Sequence, residues 1–161
     1  MARVQRIAPC LWYESEAEEA ARFYCSVFPN SSIGTIARYG EAGFEFHGRP
    51  AGSVMVVNFA LDGQPFMAMN GGPMFKFNEA VSLAVRCDTP QELDHYWNAL
   101  AAGGEPAAQQ CGWLKDRWGL SWQVVPGPLE QWMASPRAEA VMTALLPMTK
   151  LDWSVLERAA R

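Results

Sequence analysis

With 161 residues, half of them apolar and 12% aromatic, the chain can fill the interior of one domain, or of two small half-domains sharing a core. A net charge of −4 with no two adjacent basic residues excludes the clustered basic surface that phosphate contacts require, so nucleic acid is not an expected partner. Fully apolar runs such as 54–57 are far too short to cross a membrane, and residues 1–13 hold no stretch of signal-peptide length.

The first predicted strand, 7–13, runs into Ser15-Glu16-Ala17-Glu18, which has the form of a capping box. In such a box the hydroxyl accepts from an amide of the first turn and the Glu reaches back to the cap. Ala20, Ala21, Tyr24 and Phe28 then recur at helical spacing, giving the helix one face to bury. Breakers at 29–32 end it, and strands are expected at 33–39, 54–61 and 66–70. The last two are joined by Asp62-Gly63, a hairpin signal because both residues accept positive φ. Between the first two of these strands, 40–52 is a polar connector with four glycines, read as a flap over a cavity.

The same order recurs about 74 residues later. A strand at 81–87 meets Thr89-Pro90-Gln91-Glu92, a second capping box with proline in the first turn. Leu93, Tyr96, Trp97 and Leu100 form the apolar stripe, and Gly103-Gly104-Glu105-Pro106 breaks the helix. Strands follow near 107–111, at 113–115 and at 120–125. The pattern is α+β: two βαβββ modules forming curved mixed sheets around a cavity, at about 5–71 and 79–126, in a single domain spanning 1–161. A helical tail, about 128–161, is expected to cover apolar surface in its own subunit or a partner, with caps at Ser135-Pro136 and Asp152.

Several of these stretches resemble PhnB-like proteins, a branch of the glyoxalase/bleomycin-resistance/dioxygenase superfamily often labelled "3-demethylubiquinone-9 3-methyltransferase". They are Pro9-Cys10-Leu11-Trp12-Tyr13, Phe23-Tyr24, Asn70-Gly71-Gly72-Pro73, Phe77-Asn78-Glu79-Ala80-Val81-Ser82, and Cys111 to Arg117 with Ser121-Trp122-Gln123. The resemblance spans about residues 5–150 and implies a vicinal-oxygen-chelate fold, usually dimeric. Metal-using relatives draw ligands from the first and fourth strand of each module. Here those positions fall on Pro9, Ala68, Ser82 and Gln123, which offer no anionic or imidazole donor, so no metal and no cofactor are expected. The methyltransferase label itself implies S-adenosylmethionine. That cofactor usually sits on a doubly wound sheet with a glycine-rich first turn, and the first strand here runs into Glu14-Ser15-Glu16 instead.

Strand alternation divides the side chains into two faces. One face (Pro9, Leu11, Tyr13; Phe66, Ala68, Asn70; Ser82, Ala84, Arg86; Ser121, Gln123, Val125) holds every polar residue of these four strands and is expected to line the cavity. The other (Cys10, Trp12; Met67, Met69; Leu83, Val85, Cys87; Trp122, Val124) is apolar and is expected to meet the helices. Candidate ligand-binding residues are therefore Tyr13, Phe66, Asn70, Ser82, Arg86 and Gln123, with Trp118 from a hairpin turn. Arg86 could hold a carboxylate, phosphonate or enolate, or reach solvent or a local acid such as Asp88. Gln123 and Asn70 could orient a carbonyl or satisfy backbone, and Tyr13 could donate a proton or pack in the core.

The leading expectation is a metal-free small-molecule-binding homodimer. The alternatives are an acid–base isomerase or lyase using Arg86, with Glu45, His47 and Arg49 of the flap as an acid–base set, and a structural or regulatory dimer. Cys10, Cys25, Cys87 and Cys111 contain no C-x-x-C pair, which suits buried thiols and a reducing cytoplasm.

Overall fold

The structure, a computed structural model, describes residues 5–161; residues 1–4, the start of the stretch read for a leader, lie outside it. The chain divides into two compact units, one ending at Lys76 and one running from Phe77 to Arg161.

The first unit is built in the order β1 (Cys10–Tyr13), α1 (Ala17–Val27), β2 (Ser32–Arg38), α2 (Phe44–His47), β3 (Val54–Leu61) and β4 (Gln64–Asn70). Its mixed sheet has the order β1-β4-β3-β2, with β1 parallel to β4 and the other pairs antiparallel. Asp62 and Gly63 take φ of 47° and 78°, the left-handed pair that lets β3 return as β4 in two residues. The core lies where α1 crosses the sheet. Ala17, Ala20, Ala21, Tyr24 and Val27 of the helix are buried with Leu11, Val57, Phe59, Leu61, Phe66 and Ala68 of the strands. Each large apolar side chain so buried stabilises the unit by about 1.5–3 kcal/mol.

The Ser15 capping box does not form. Helix α1 starts one position later than the box requires, and the Asn70 side-chain oxygen at the end of β4 accepts from the Ala17 amide at 2.8 Å. A residue distant in sequence thus caps this helix. In the second unit half of the box is present: the Thr89 hydroxyl accepts from Glu92 N at 3.2 Å, while the Glu92 carboxylate accepts from Asp88 N at 2.7 Å rather than from the cap's own amide.

The second unit contains β5 (Ser82–Cys87), α3 (Pro90–Ala101), β6 (Trp113–Lys115) and β7 (Ser121–Pro126), with sheet order β5-β7-β6. Strand β5 is parallel to β7, and β6 is antiparallel to it. The strand expected near 107–111 is replaced by one 3-10 turn, Pro106–Ala108, and an isolated bridge between Gln110 and Trp113. Two contacts explain the loss. A Cβ on Gly104 would stand 2.0 Å from the Lys115 carbonyl, so the chain turns back hard against β6. Beyond the turn, the Cys111 and Gly112 amides donate to the Met148 and Thr149 carbonyls of the tail, each at 2.8 Å.

That tail forms α4 (Leu129–Met133), α5 (Ala138–Leu145) and α6 (Trp153–Ala160). Asp152 caps α6, its carboxylate accepting from Val155 N at 3.1 Å. Val141, Leu151 and Leu156 are buried, so the tail covers apolar surface in its own unit.

Candidate functional site

In the first unit the face expected to line a cavity is turned inward against α1. Tyr13 is 3% exposed, and its hydroxyl shares a 3.0 Å hydrogen bond with that of Tyr24 on the helix. Phe66 is buried and stacked on Phe59, with centroids 5.4 Å apart. Asn70 caps α1 and donates to the Val54 carbonyl at 3.1 Å. These three residues hold the core together, and the expected face is reversed here. The cause is one residue. Three residues (14–16) separate β1 from α1, but only two (88–89) separate β5 from α3. Matching the modules by their helices makes Tyr13 the counterpart of Arg86, whereas in the strands its counterpart is Cys87, and a slip of one inverts every side chain.

The side of this sheet away from α1 carries Cys10, Trp12, Met67 and Met69, with Cys10 paired to Met67 and Trp12 to Met69. Trp12 donates from its indole to the Gly72 carbonyl at 2.9 Å and meets the edge of Phe75 at 4.9 Å. Any Cβ on Gly71 would fall 2.1 Å from that indole, which is why glycine stands there.

The flap is ordered around α2. Tyr39 donates to the Asn70 carbonyl at 2.6 Å, and its ring lies 4.5 Å from that of His47. His47 Nδ1 accepts from Arg49 N at 2.9 Å, so Nε2 carries the proton and donates to the Ala42 carbonyl at 3.2 Å. Arg49 donates to the Glu14 carbonyl, and Lys76 pairs with the Glu14 carboxylate at 3.3 Å. Between flap and loop lies an open cavity of about 700 Å³, lined by Phe46, His47, Arg49, Gly72 and Met74 among others; Glu45 is not among its lining residues.

In the second unit the expected faces hold. Val85, Cys87, Trp122 and Val124 are buried on the side that packs α3, leaving Ser82, Ala84, Arg86, Gln123 and Val125 on the other. Paired residues share a face, so the register arranges the open side in rows. Ser82, Ser121 and Lys115 form one row, Ala84, Gln123 and Trp113 the next, and Arg86 with Val125 the third. Gln123 donates its amide to the Ser82 hydroxyl at 2.9 Å. Lys115 pairs with Glu79 at 2.5 Å. That ammonium holds the Glu79 carboxyl below the usual carboxylate range, first through the hydrogen bond and also through its charge. Between Ser82 and Lys115, Ser121 is 1% exposed, and its hydroxyl has no hydrogen-bond partner among the described residues.

Strand alternation puts Ser121 on this face without marking it as a site residue, and nothing in the alternation points to Lys115, Glu79 or Trp113. Strand β6 was recognised, and pairing it with β7 would have brought two of them into register. Arg86 lies on the open face at its outer end, highly exposed, 3.7 Å from Glu130 of α4 rather than paired with Asp88. Such an exposed pair contributes about 0–1 kcal/mol. Trp118 sits in the β6–β7 turn beneath the Arg117 guanidinium at 5.2 Å, its amide donating to the Asp116 carboxylate at 2.9 Å. Asp116 also accepts from Leu120 N and the Trp122 indole, which fixes the hairpin below the site. Among the described residues no three His, Cys, Asp or Glu side chains stand close enough together to hold a metal ion.

Residues 5–125 match the family described as 3-demethylubiquinone-9 3-methyltransferase. The chain belongs to this PhnB-like family. A PhnB protein from Bacillus cereus that carries the same methyltransferase name is 38% identical. The similarity covers 74% of this chain and 97% of that one, with a TM-score of 0.62. A protein from Pseudomonas aeruginosa, 20% identical over 74% of this chain and 95% of that one, shares the fold with a TM-score of 0.57. No curated protein matches the chain. The family match stops at residue 125, before α4, so the three tail helices lie outside it.

Proposed function

We propose that this PhnB-like protein is a metal-free small-molecule-binding protein of the glyoxalase/bleomycin-resistance superfamily, its two modules forming one domain and its ligand seated on the open face of the β5-β7-β6 sheet. Of the residues expected from sequence, Ser82, Gln123 and Arg86 belong to this site, joined by Ser121, Lys115 and Trp113. The observation that carries the reading is the Ser121 hydroxyl, buried and unpartnered in the middle of a polar row. Leaving such a group unsatisfied costs about 1–3 kcal/mol, a cost that a bound polar ligand would offset. Around it stand the few placed polar groups and apolar neighbours typical of ligand sites.

The acid–base reading finds less support. Both ring nitrogens of His47 are engaged within the flap, and Arg86 is at the solvent end of its strand. The methyltransferase name is not supported by architecture either, since each unit is a small mixed sheet rather than a doubly wound parallel one. A homodimer fits the exposed Phe44, Phe46, Met74 and Phe75, large apolar side chains concentrated on the flap and the loop after β4. All four cysteines are free, which suits a cytoplasmic setting, and no described helix is long and apolar enough to cross a membrane.

Thermal-shift screening of a metabolite library against the native chain and against Ser121→Val and Gln123→Ala tests the site. A hit should raise Tm in the native protein, and both variants should lose that shift while staying folded. Hits that stabilise all three proteins equally, or no hits at all, would overturn the proposal.

A further inference from the structure

The class of ligand follows from the group that already occupies the row. Lys115 is the one cation in it, its side chain only 25% exposed, and its partner Glu79 belongs to the connector before β5 rather than to the sheet. The Glu79 side chain is 64% exposed, which leaves its carboxylate open to exchange. In the same row as Lys115 stand two hydroxyls whose protons have no assigned acceptor. Ser121 has no partner, and Ser82 receives a bond from Gln123, which leaves its own O–H free to donate. One ammonium and two hydroxyls stand in a single row, and Glu79 engages only the ammonium, so the row offers the further donors that a bound carboxylate would use. The next rows supply an apolar floor in Ala84, Trp113 and Val125.

We infer that this face selects small monocarboxylates, with Glu79 as the internal competitor. The ligand's head group displaces Glu79 from Lys115 and accepts from Ser121 and Ser82, while its apolar body lies over Trp113 and Val125. The inference rests on the binding reading above and adds the charge of the ligand and the residue that competes with it. Exchange of one carboxylate for another leaves the charge of the site unchanged, so the ammonium is never left unpaired.

Titration calorimetry with benzoate, phenylacetate and octanoate, each against its primary amide, decides the matter. The acids should bind and the amides should bind at least about tenfold more weakly, as expected when a charged hydrogen-bonded pair is lost. Glu79→Gln removes the competitor and should tighten the acids by about two- to fivefold, the range for a partly exposed ion pair. Lys115→Met should weaken them by about ten- to a hundredfold. Lys115→Arg, which keeps the charge, should retain most of the affinity and guards against a folding artefact. Equal binding of acids and amides, no tightening in Glu79→Gln, or no binding of either panel even in Glu79→Gln would overturn the inference. Amide binding that Ser121→Val abolishes would overturn the carboxylate class while leaving the binding site itself standing.

Discussion

Cys87 ends β5 on the side that meets α3, and burial, aided by the charges of Glu92 and Asp88, pushes its thiol up to about 12. An unfolded chain would release that proton near the ordinary value of 9.0, whereas the folded chain holds it until about 12. Between those limits the unfolded state binds fewer protons, so stability falls as pH rises through the window. Chemical denaturation followed from pH 8 to 11 should show this decline, and Cys87→Ala should flatten it. At neutral pH a thiol reagent should label exposed Cys10 well before Cys87. Burial of cysteines was legible in the sequence for Cys87 but not for Cys10, because that judgement depends on which strand face meets the helix. Tyr13 and Asn70 show the same difficulty from the polar side. A tyrosine and an asparagine on a strand look like ligand groups until the helix that uses them is in place. Ser121 is the reverse case, a small residue whose importance lies in having no partner.

Among the elements, α3, the β3–β4 hairpin and α6 were readable because each is specified by short-range chemistry. Thr89 and Glu92 cap α3, Asp62-Gly63 turns the hairpin, and Asp152 caps α6. The cap of α1 comes from Asn70, 53 residues away, and no local pattern announces it. The missing strand near 107–111 likewise depends on where Lys115 and Met148 lie, not on its own residues. The tail makes a measurable claim at this scale. Val141, Leu151 and Leu156 are buried, Lys150 pairs with Asp94 of α3, and Leu151 packs against Gly112. Truncation after Gly127 should destabilise the second unit by about 5 kcal/mol, the worth of three buried aliphatic side chains. Urea unfolding followed through Trp113 and Trp122 fluorescence, with the other tryptophans replaced, should move to a much lower midpoint. An unchanged midpoint would make the tail a passenger.

For the whole molecule, the α+β class and the repeated strand–helix–strands order were legible, although the second module keeps only two of its three expected later strands, because repetition of a pattern survives errors in its details. What did not survive was the phase between the repeats: a single extra loop residue inverts half of the expected site. The proposed homodimer belongs to this scale as well. Light scattering on the purified protein should give a mass near twice 17.8 kDa, and Phe46→Glu with Met74→Glu should halve it if the exposed apolar side chains form the contact. A mass of one chain in the native protein would remove the dimer.

The two units also differ in when they can be finished. β1 meets its partner β4 by Asn70, so the first sheet is complete before β5 exists. The amides of Cys111 and Gly112 wait for Met148 and Thr149, and Leu156 fills the interior later still. As the chain emerges from a ribosome, the first module can therefore close early, while the second must stand incomplete until residues 148–156 have cleared the exit tunnel.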